Sequence, residues 1–508
     1  MGAPVHVRRF LPLPLALVAS ALVATPSGAT PGTPATTCLG KPVTVVASSS
    51  VVTGTEGDDV VAMTPSGWSK FDALGGNDTI CLALGIATGG RDPMPPTGWL
   101  DAGAGDDVVF DESTFTPDAV MYVGLGTGDD AFTGNDVAER VYTDSSPFPL
   151  DDSVPAGANT DAVDTRGGPD EVWTAAPADG LNADRITLGA GTARVNYRGA
   201  MSPQGSLDVG AASATLLELP QPGAAEPLAR GELVVDNVAR RASVGEAVVL
   251  TWTGQIDSFR FGRDAASSSG LPVSFTGSDA DEYVTVAGGP IGDVSLGGGD
   301  DALKVEAYND AFTPRSADGG PGSDWAAIDT GCLVLAIRLD DSSSCDGATG
   351  PFTSFDEVIG SSERGRSRVT VVGTDAGERL VANGDRVRVR GRGGADRILV
   401  DEGWTVRVSG GGGADRILVS GDDVVVRGQA GGDRVSLSGS PGYHLFHAAE
   451  VTTKQQVALG GAGRDVLVGT AQGRGDRLLG GGGRDRAIGR GGRWDYCVAE
   501  TTRGCERP

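Results

Sequence analysis

The sequence predicts an all-β chain folded as a parallel β-roll or β-helix, a solenoid built from glycine-rich turns ending in aspartate and short strands. Three observations carry this. Between Gly391 and Ser438 such a turn comes three times, ending at Asp396, Asp415 and Asp433, in steps of 19 and 18 residues. Each is followed by a short β-branched or leucine-rich run, and a second strand lies between turns, at Trp404-Thr405-Val406-Arg407-Val408 and at Val424-Val425-Val426-Arg427. Self-similarity at a fixed step means stacked units, because one such unit cannot bury its apolar face alone. The composition agrees: the 508 residues include 80 Gly, without collagen's third-residue period, and only 5% aromatics. A thin Val/Leu/Ile interior needs few large rings.

In chain order, residues 1–29 read as a signal peptide, with Arg8 and Arg9 ahead of an apolar run from Phe10 to Ala24 and small residues at Ser27-Gly28-Ala29. Pro12 and Pro14 interrupt that run and argue against an anchor helix. No later stretch approaches the ~20 apolar residues a membrane span needs, so no transmembrane segment is expected. Residues 30–42, rich in Thr, Pro and Gly, read as a disordered leader. A first repeat block, 43–144, carries Asp58-Asp59, Asn77-Asp78, Asp106-Asp107 and Asp129-Asp130 at steps of 19, 29 and 23. From 145 to 276 the pattern fades, with Gly167-Gly168-Pro169-Asp170 as one degenerate copy and a Pro/Ala linker candidate at Gln221 to Pro227. This region reads either as solenoid with decayed turns or as an inserted β region. A second block, 277–360, holds the turns ending at Asp300-Asp301 and Asp324. The last, 361–508, holds the opening repeats, a departure at Pro441 to Val457, a full motif at Gly460–Asp465, and then Asp476, Asp485 and Asp495. Asp465 with Asp485, and Asp476 with Asp495, are expected to stack on opposite sides of the roll. A further phrase, Gly-Asn/Ser/Thr-Asp followed by an acid, recurs at Gly134 with Glu139, Gly277 with Glu282 and Gly373 with Glu378, and suggests duplication of a larger unit.

The turns resemble the hemolysin-type (RTX) calcium-binding repeat, G-G-x-G-x-D-x-U-x with U a large apolar residue. The resemblance implies a parallel β-roll with two nonapeptides per turn. It also implies several Ca²⁺ ions between adjacent rungs, held by glycine-turn carbonyls and aspartates. Hard cations of this kind take 6–8 oxygen ligands in flexible geometry. On this basis the expected metal ligands are Asp58, Asp59, Asp78, Asp106, Asp107, Asp129, Asp130, Asp300, Asp301, Asp324, Asp396, Asp415, Asp433, Asp465 and Asp485. The Asp-Asp copies rank first. In the copies after Gly391 the residue following the aspartate is often Arg, which offers an ion pair across rungs in place of a metal.

The net charge of −26 makes nucleic acid and anionic membrane poor partners. Most of the acidic excess lies before residue 360, and the balance turns slightly positive from Ser361 onward. Six cysteines in an exported chain read as disulfides, with Cys332–Cys345 and Cys497–Cys505 close in sequence and Cys38–Cys81 remaining. No C-x-x-C is present and the chain has three His, so zinc is not favoured. Catalytic motifs are missing too: no H-E-x-x-H, no nucleophile elbow, and His444 and His447 have no serine placed beside them. The expectation is an extracellular, monomeric, non-enzymatic calcium-binding protein with a structural or adhesive role, with polysaccharide or a cell surface as the further partner. The alternative is a polysaccharide-active β-helix enzyme, a lyase or hydrolase using carboxylates and calcium. Trp68, Trp99, Trp173 and Trp404 are the residues that could stack on sugars.

Overall fold

A computed structural model describes residues 37–48, 51–63, 69–82, 97–113, 120–144, 159–174, 181–219, 231–262, 271–288, 290–307, 314–401, 403–438, 456–470, 475–490 and 494–506. Residues 1–29, expected as a signal peptide, most of the expected leader, Trp68, the linker candidate at 221–227 and the pair His444 and His447 lie outside these residues. Every described element is a strand or turn.

The strands form two faces. The long face is one parallel ladder of 20 strands from Val51–Thr53 to Thr501–Arg503. Each terminal strand pairs on one side only, so the ladder is open and does not close into a barrel. The opposite, split face consists of an 8-stranded sheet ending at Ser206–Asp208 and a 16-stranded sheet running to Tyr496–Val498. A bridge between Asp208 and Thr253 joins the two. The chain alternates between faces, one strand on each per rung, which is the expected solenoid. Register follows the repeat step: Arg397 pairs with Arg416 and Arg416 with Arg434.

Antiparallel pairing enters the split face at two places within it, Leu233–Asp236 with Arg241–Val244 and Ala247–Thr251, and Val334–Arg338 with Asp341–Cys345 and Ala348–Thr353. The disulfide Cys332–Cys345 closes the second of these. The long-face ladder runs past both without interruption, through Ala214–Leu219 and Ser258–Phe261 at the first and Trp325–Thr330 and Glu357–Ser362 at the second.

Period-two alternation sets what is inside. On Arg386–Arg392 every valine is buried and every arginine exposed. Ile398 and Val400 of the long face meet Val387, Val389, Val406 and Val408 of the split face in one continuous core. Cys38–Cys81 and Cys497–Cys505 join their strands to the first and last rungs, as their spacing suggests.

Candidate functional site

The aspartates sit at the two edges where the chain turns between faces. In the turns ending at Asp59, Asp78, Asp107 and Asp130 the chain passes from the long to the split face, whereas in those ending at Asp301, Asp324, Asp396, Asp415, Asp433, Asp465 and Asp485 it passes from the split to the long face. The acidic turns therefore change edge partway along the solenoid. Asp476 and Asp495 return to the first edge, opposite Asp465 and Asp485, as the sequence step requires.

Two consecutive residues of an extended chain point opposite ways, so an Asp-Asp pair has an outer and an inner member. The outer ones, Asp58, Asp106, Asp129 and Asp300, are exposed. Their Oδ1 atoms accept backbone N–H bonds from the following rung: Asn77 to Asp58 at 2.9 Å, Asp129 to Asp106 at 3.0 Å and Ser323 to Asp300 at 2.9 Å. The inner ones are buried and bonded in the reverse sense, each Oδ1 accepting the N–H of its counterpart in the preceding rung. One column runs Asp59, Asp78, Asp107, Asp130 through bonds of 2.7 Å at each step. A second runs Asp301 to Asp324 at 2.8 Å. The third runs Asp396, Asp415, Asp433, Asp465, Asp485 at 2.8–3.0 Å.

The recurring Gly-Asn/Ser/Thr-Asp phrase stands one rung ahead of the second and third columns and of Asp170. Glu139 donates its N–H to Asp170, Glu282 to Asp301 and Glu378 to Asp396. The side chain of each folds back to accept the N–H of Asn135, Ser278 or Thr374, four residues earlier. That position carries positive φ in the following rungs, at Gly297, Gly411 and Gly461, and even at Arg392 (φ 82) and Gln429 (φ 84). At Gly411 a Cβ would overlap the carbonyl of Arg392 in the rung before. In the phrase itself that position is Asn135, Ser278 or Thr374, whose side-chain oxygen accepts the N–H two residues on, a local cap that glycine cannot make.

Each inner aspartate retains a second oxygen. Oδ2 of Asp78, Asp107, Asp130, Asp301, Asp324, Asp396, Asp415, Asp433, Asp465 and Asp485 is buried with no hydrogen-bond partner. Asp59 differs, its Oδ2 being used by the Thr55 N–H at 2.8 Å. In the third column the free oxygen faces the first glycine of its own turn and a carbonyl of the following rung. A Cβ on Gly410 would meet Asp415 Oδ2 and the Gly428 carbonyl, one on Gly428 would meet Asp433 Oδ2 and the Gly460 carbonyl, and one on Gly460 would meet Asp465 Oδ2 and the Gly480 carbonyl. Carboxylate and carbonyl oxygens from successive rungs thus converge on the space that glycine leaves. This donor set fits a hard divalent cation. In the copies ending at Asp78, Asp107, Asp130 and Asp301, Ala73, Ala102, Leu125 and Leu296 stand where that glycine would be, and all four are fully buried, whereas the Asp58-Asp59 copy keeps Gly54 there. The cradle with an unpartnered Oδ2 therefore runs through the copies from Asp396 onward, which the sequence ranks second, while at Gly54 the Oδ2 of Asp59 is already taken by Thr55.

Burial raises these carboxyls. Asp107 is pushed up to about 8, and Asp130 and Asp301 to about 7, in each case first by desolvation and further by neighbouring carboxylates, against the lowering effect of the ladder bond. Asp433 rises to about 6, and Asp415 and Asp465 move the same way. The expected arginine compensation does not occur: Arg397, Arg416 and Arg434 each follow a buried aspartate by one residue and so project to the exposed outer face.

One acidic group escaped the sequence reading. Asp144, Asp161 and Asp184 are buried and bring carboxylate oxygens within 4.8 Å of one another. Asp161 and Asp184 extend the first column, through Asp130 N–H to Asp161 at 3.0 Å and Asp161 N–H to Asp184 at 3.2 Å. The Thr143 hydroxyl lies 3.0 Å from both Asp144 Oδ2 and Asp184 Oδ2. Asp161 Oδ2 has no hydrogen-bond partner, nor does the buried Tyr197 hydroxyl. The signal available was the pair Asn159-Thr160-Asp161 and Asn182-Ala183-Asp184, which keeps the aspartate and drops the glycines.

Among the described residues no helix is long and apolar enough to cross a membrane. The chain matches no protein-family model, and no curated protein matches it.

Proposed function

We propose that this protein is a calcium-binding β-solenoid of the hemolysin-type repeat kind, exported through its N-terminal signal and acting without catalysis as a structural or adhesive component. The observation that carries this reading is the column of buried aspartates from Asp396 to Asp485, each with an unpartnered Oδ2 beside a glycine. An ionised carboxylate with a buried oxygen left unbonded is unfavourable, by about 1–3 kcal/mol or more, and a bound cation relieves it. Asp396, Asp415, Asp433, Asp465 and Asp485 would hold the ions together with the first-glycine carbonyls, and the Asp144, Asp161 and Asp184 group adds an all-carboxylate site. Calcium supplies positive charge between like-charged rungs. In a calcium-poor compartment the columns repel and the chain stays open. At the affinities typical of extracellular modules, Kd about 10⁻⁴–10⁻³ M, each site bound only in the folded state adds about 1.4–2.7 kcal/mol at ~10 mM calcium. Three disulfides suit an oxidising compartment.

The test is thermal unfolding followed by far-ultraviolet circular dichroism in chelator, in calcium and in magnesium. Calcium should raise the transition, and magnesium less so, because it demands a tighter octahedral shell. Identical transitions in chelator and calcium would overturn the reading.

A further inference from the structure

The split face between Arg368 and Arg427 carries a charge opposite to that of the whole chain. Arg386, Arg388, Arg390 and Arg392 occupy alternate positions of one strand and are all exposed. Register sets Arg368 beside Arg386 on one side, and Arg407 beside Arg388 on the other. Arg427 continues the field one strand further, in register with Ser409, which itself lies beside Arg390. Alternate residues along the strand are about 6.6–6.8 Å apart and adjacent strands about 4.8 Å apart, so the backbone positions from Arg386 to Arg392 span roughly 20 Å. A depression of about 300 Å³ lies among Arg368, Arg386, Arg388 and Arg407. Arg407 pairs with Asp423 at 3.1 Å. Among the described residues, Arg368, Arg386, Arg388, Arg390 and Arg427 have no carboxylate partner. The ladder acids of the same rungs, Asp396, Asp415 and Asp433, are turned into the core.

At the edge where the Arg386 strand begins, the surface changes character. A second cavity, of about 390 Å³, is lined by Trp404, Asn383, Asp385, Asp401, Glu363 and Ser361 among others. Trp404 is half exposed, at 51%. An indole face with amide, hydroxyl and carboxylate groups around it is the chemistry that receives a sugar ring, apolar C–H groups against the ring and hydroxyls to the polar rim. The cavity adjoins the arginine row directly, since Asp385 precedes Arg386 and Trp404 precedes Thr405.

We infer that this face binds a linear anionic polysaccharide, with one sugar ring seated against Trp404 and the carboxylate or sulfate groups of the following units lying along Arg386, Arg388 and Arg390. The arginine fork matches either anion bidentately. Nucleic acid fits less well. Its bases need stacking platforms along the groove, and the outward positions of the Arg386–Arg392 and Thr405–Gly412 strands are Arg, Thr, Ser and Gly. The inference stands on the outer surface and does not rest on calcium in the turns.

The experiment is isothermal titration of the folded, calcium-equilibrated protein with an oligogalacturonate, a heparin oligosaccharide, neutral dextran and a dT oligonucleotide. At least one of the two anionic glycans should bind, which identifies the charged group, and dextran should not. The variant R386S/R388S/R390S should weaken that binding by about threefold to a hundredfold, since each exposed ion contact is worth a factor of about 1.4 to 5. Trp404→Ala should weaken the glycan and leave any residual dT binding unchanged. Circular dichroism and the calcium response of both variants should match the parent, because the altered side chains point outward. Binding of neither anionic glycan, equal binding by the triple variant, or dT binding as tight as glycan binding and insensitive to Trp404→Ala would overturn the inference.

Discussion

Replacing Asp415 by Asn tests the metal account with a single atom. The Asn oxygen can still accept the Asp396 N–H, which in the parent meets Asp415 Oδ1 at 3.0 Å. The amide nitrogen takes the place of the unpartnered Oδ2, which shares the space beside Gly410 with the Gly428 carbonyl. Without metal, two oxygens face one another there, and an N–H in place of one can donate to the other. Removing a buried unpartnered acceptor of this kind recovers about 1–3 kcal/mol. With calcium the sign reverses. A neutral amide loses a charged ligand, and the site's contribution of about 1.4–2.7 kcal/mol at ~10 mM calcium falls away. Asp415→Asn should therefore melt above the parent in chelator and below it in calcium. The assay is paired melting curves of both proteins in both buffers, with amide exchange of the Arg416–Ser420 strand as a local check. A drop of equal size in both buffers would show that the carboxylate serves only the ladder bond and would refute the reasoning.

Other outcomes follow from the same geometry. In chelator, stability should fall as pH rises from about 4 to about 8. The native carboxyls at Asp107, Asp130 and Asp301 hold protons up to about 7 or 8 while an unfolded aspartate loses them near 3.8, so the native state binds more protons across that window and loses stability through it. A melting temperature that rises over this range in chelator would contradict the burial of these groups. Gly413→Ala should destabilise by more than about 2 kcal/mol, since φ is +115° and the new Cβ would overlap the Gly394 carbonyl. Gly482→Ala, with nothing within 4 Å, should be neutral or stabilising by about 0.4–1 kcal/mol; equal losses measured by melting would refute the stacked-turn register. Removing Cys38–Cys81, whose partners are 43 positions apart in sequence, should weaken the first rungs by about 4 kcal/mol in the chain-entropy view. Hydrogen exchange should show the loss there and not around Arg416, because solenoid rungs feel chiefly their neighbours.

The rung was legible in the sequence because its step is rigid. Once Asp396, Asp415 and Asp433 recur at 19 and 18 residues, the strands between them have one way to stack, and the register bears it out. The disulfides were legible for a similar reason, short separations leaving one sensible set. The edge on which a turn lies was not legible, since a glycine-rich turn looks alike whether it leads onto the long face or the split face. The Glu139, Glu282 and Glu378 phrase resembled a duplicated unit because its meaning is relational. Its glutamate folds back onto the N–H four residues earlier and donates its own N–H to the aspartate of the next rung, which only stacking reveals. Arginine pairing failed on alternation: adjacency in sequence at Asp415-Arg416 is opposition in space. The Asp144, Asp161, Asp184 group was hidden by the loss of its glycines and a span of 40 residues.

The most direct test of the calcium columns is a count. Equilibrium dialysis against calcium, followed by elemental analysis, should give several ions per parent chain and fewer in a variant with Asp396, Asp415, Asp433 and Asp465 all changed to Asn. The same number of ions in both proteins, or none in the parent at ~10 mM calcium, would contradict the account.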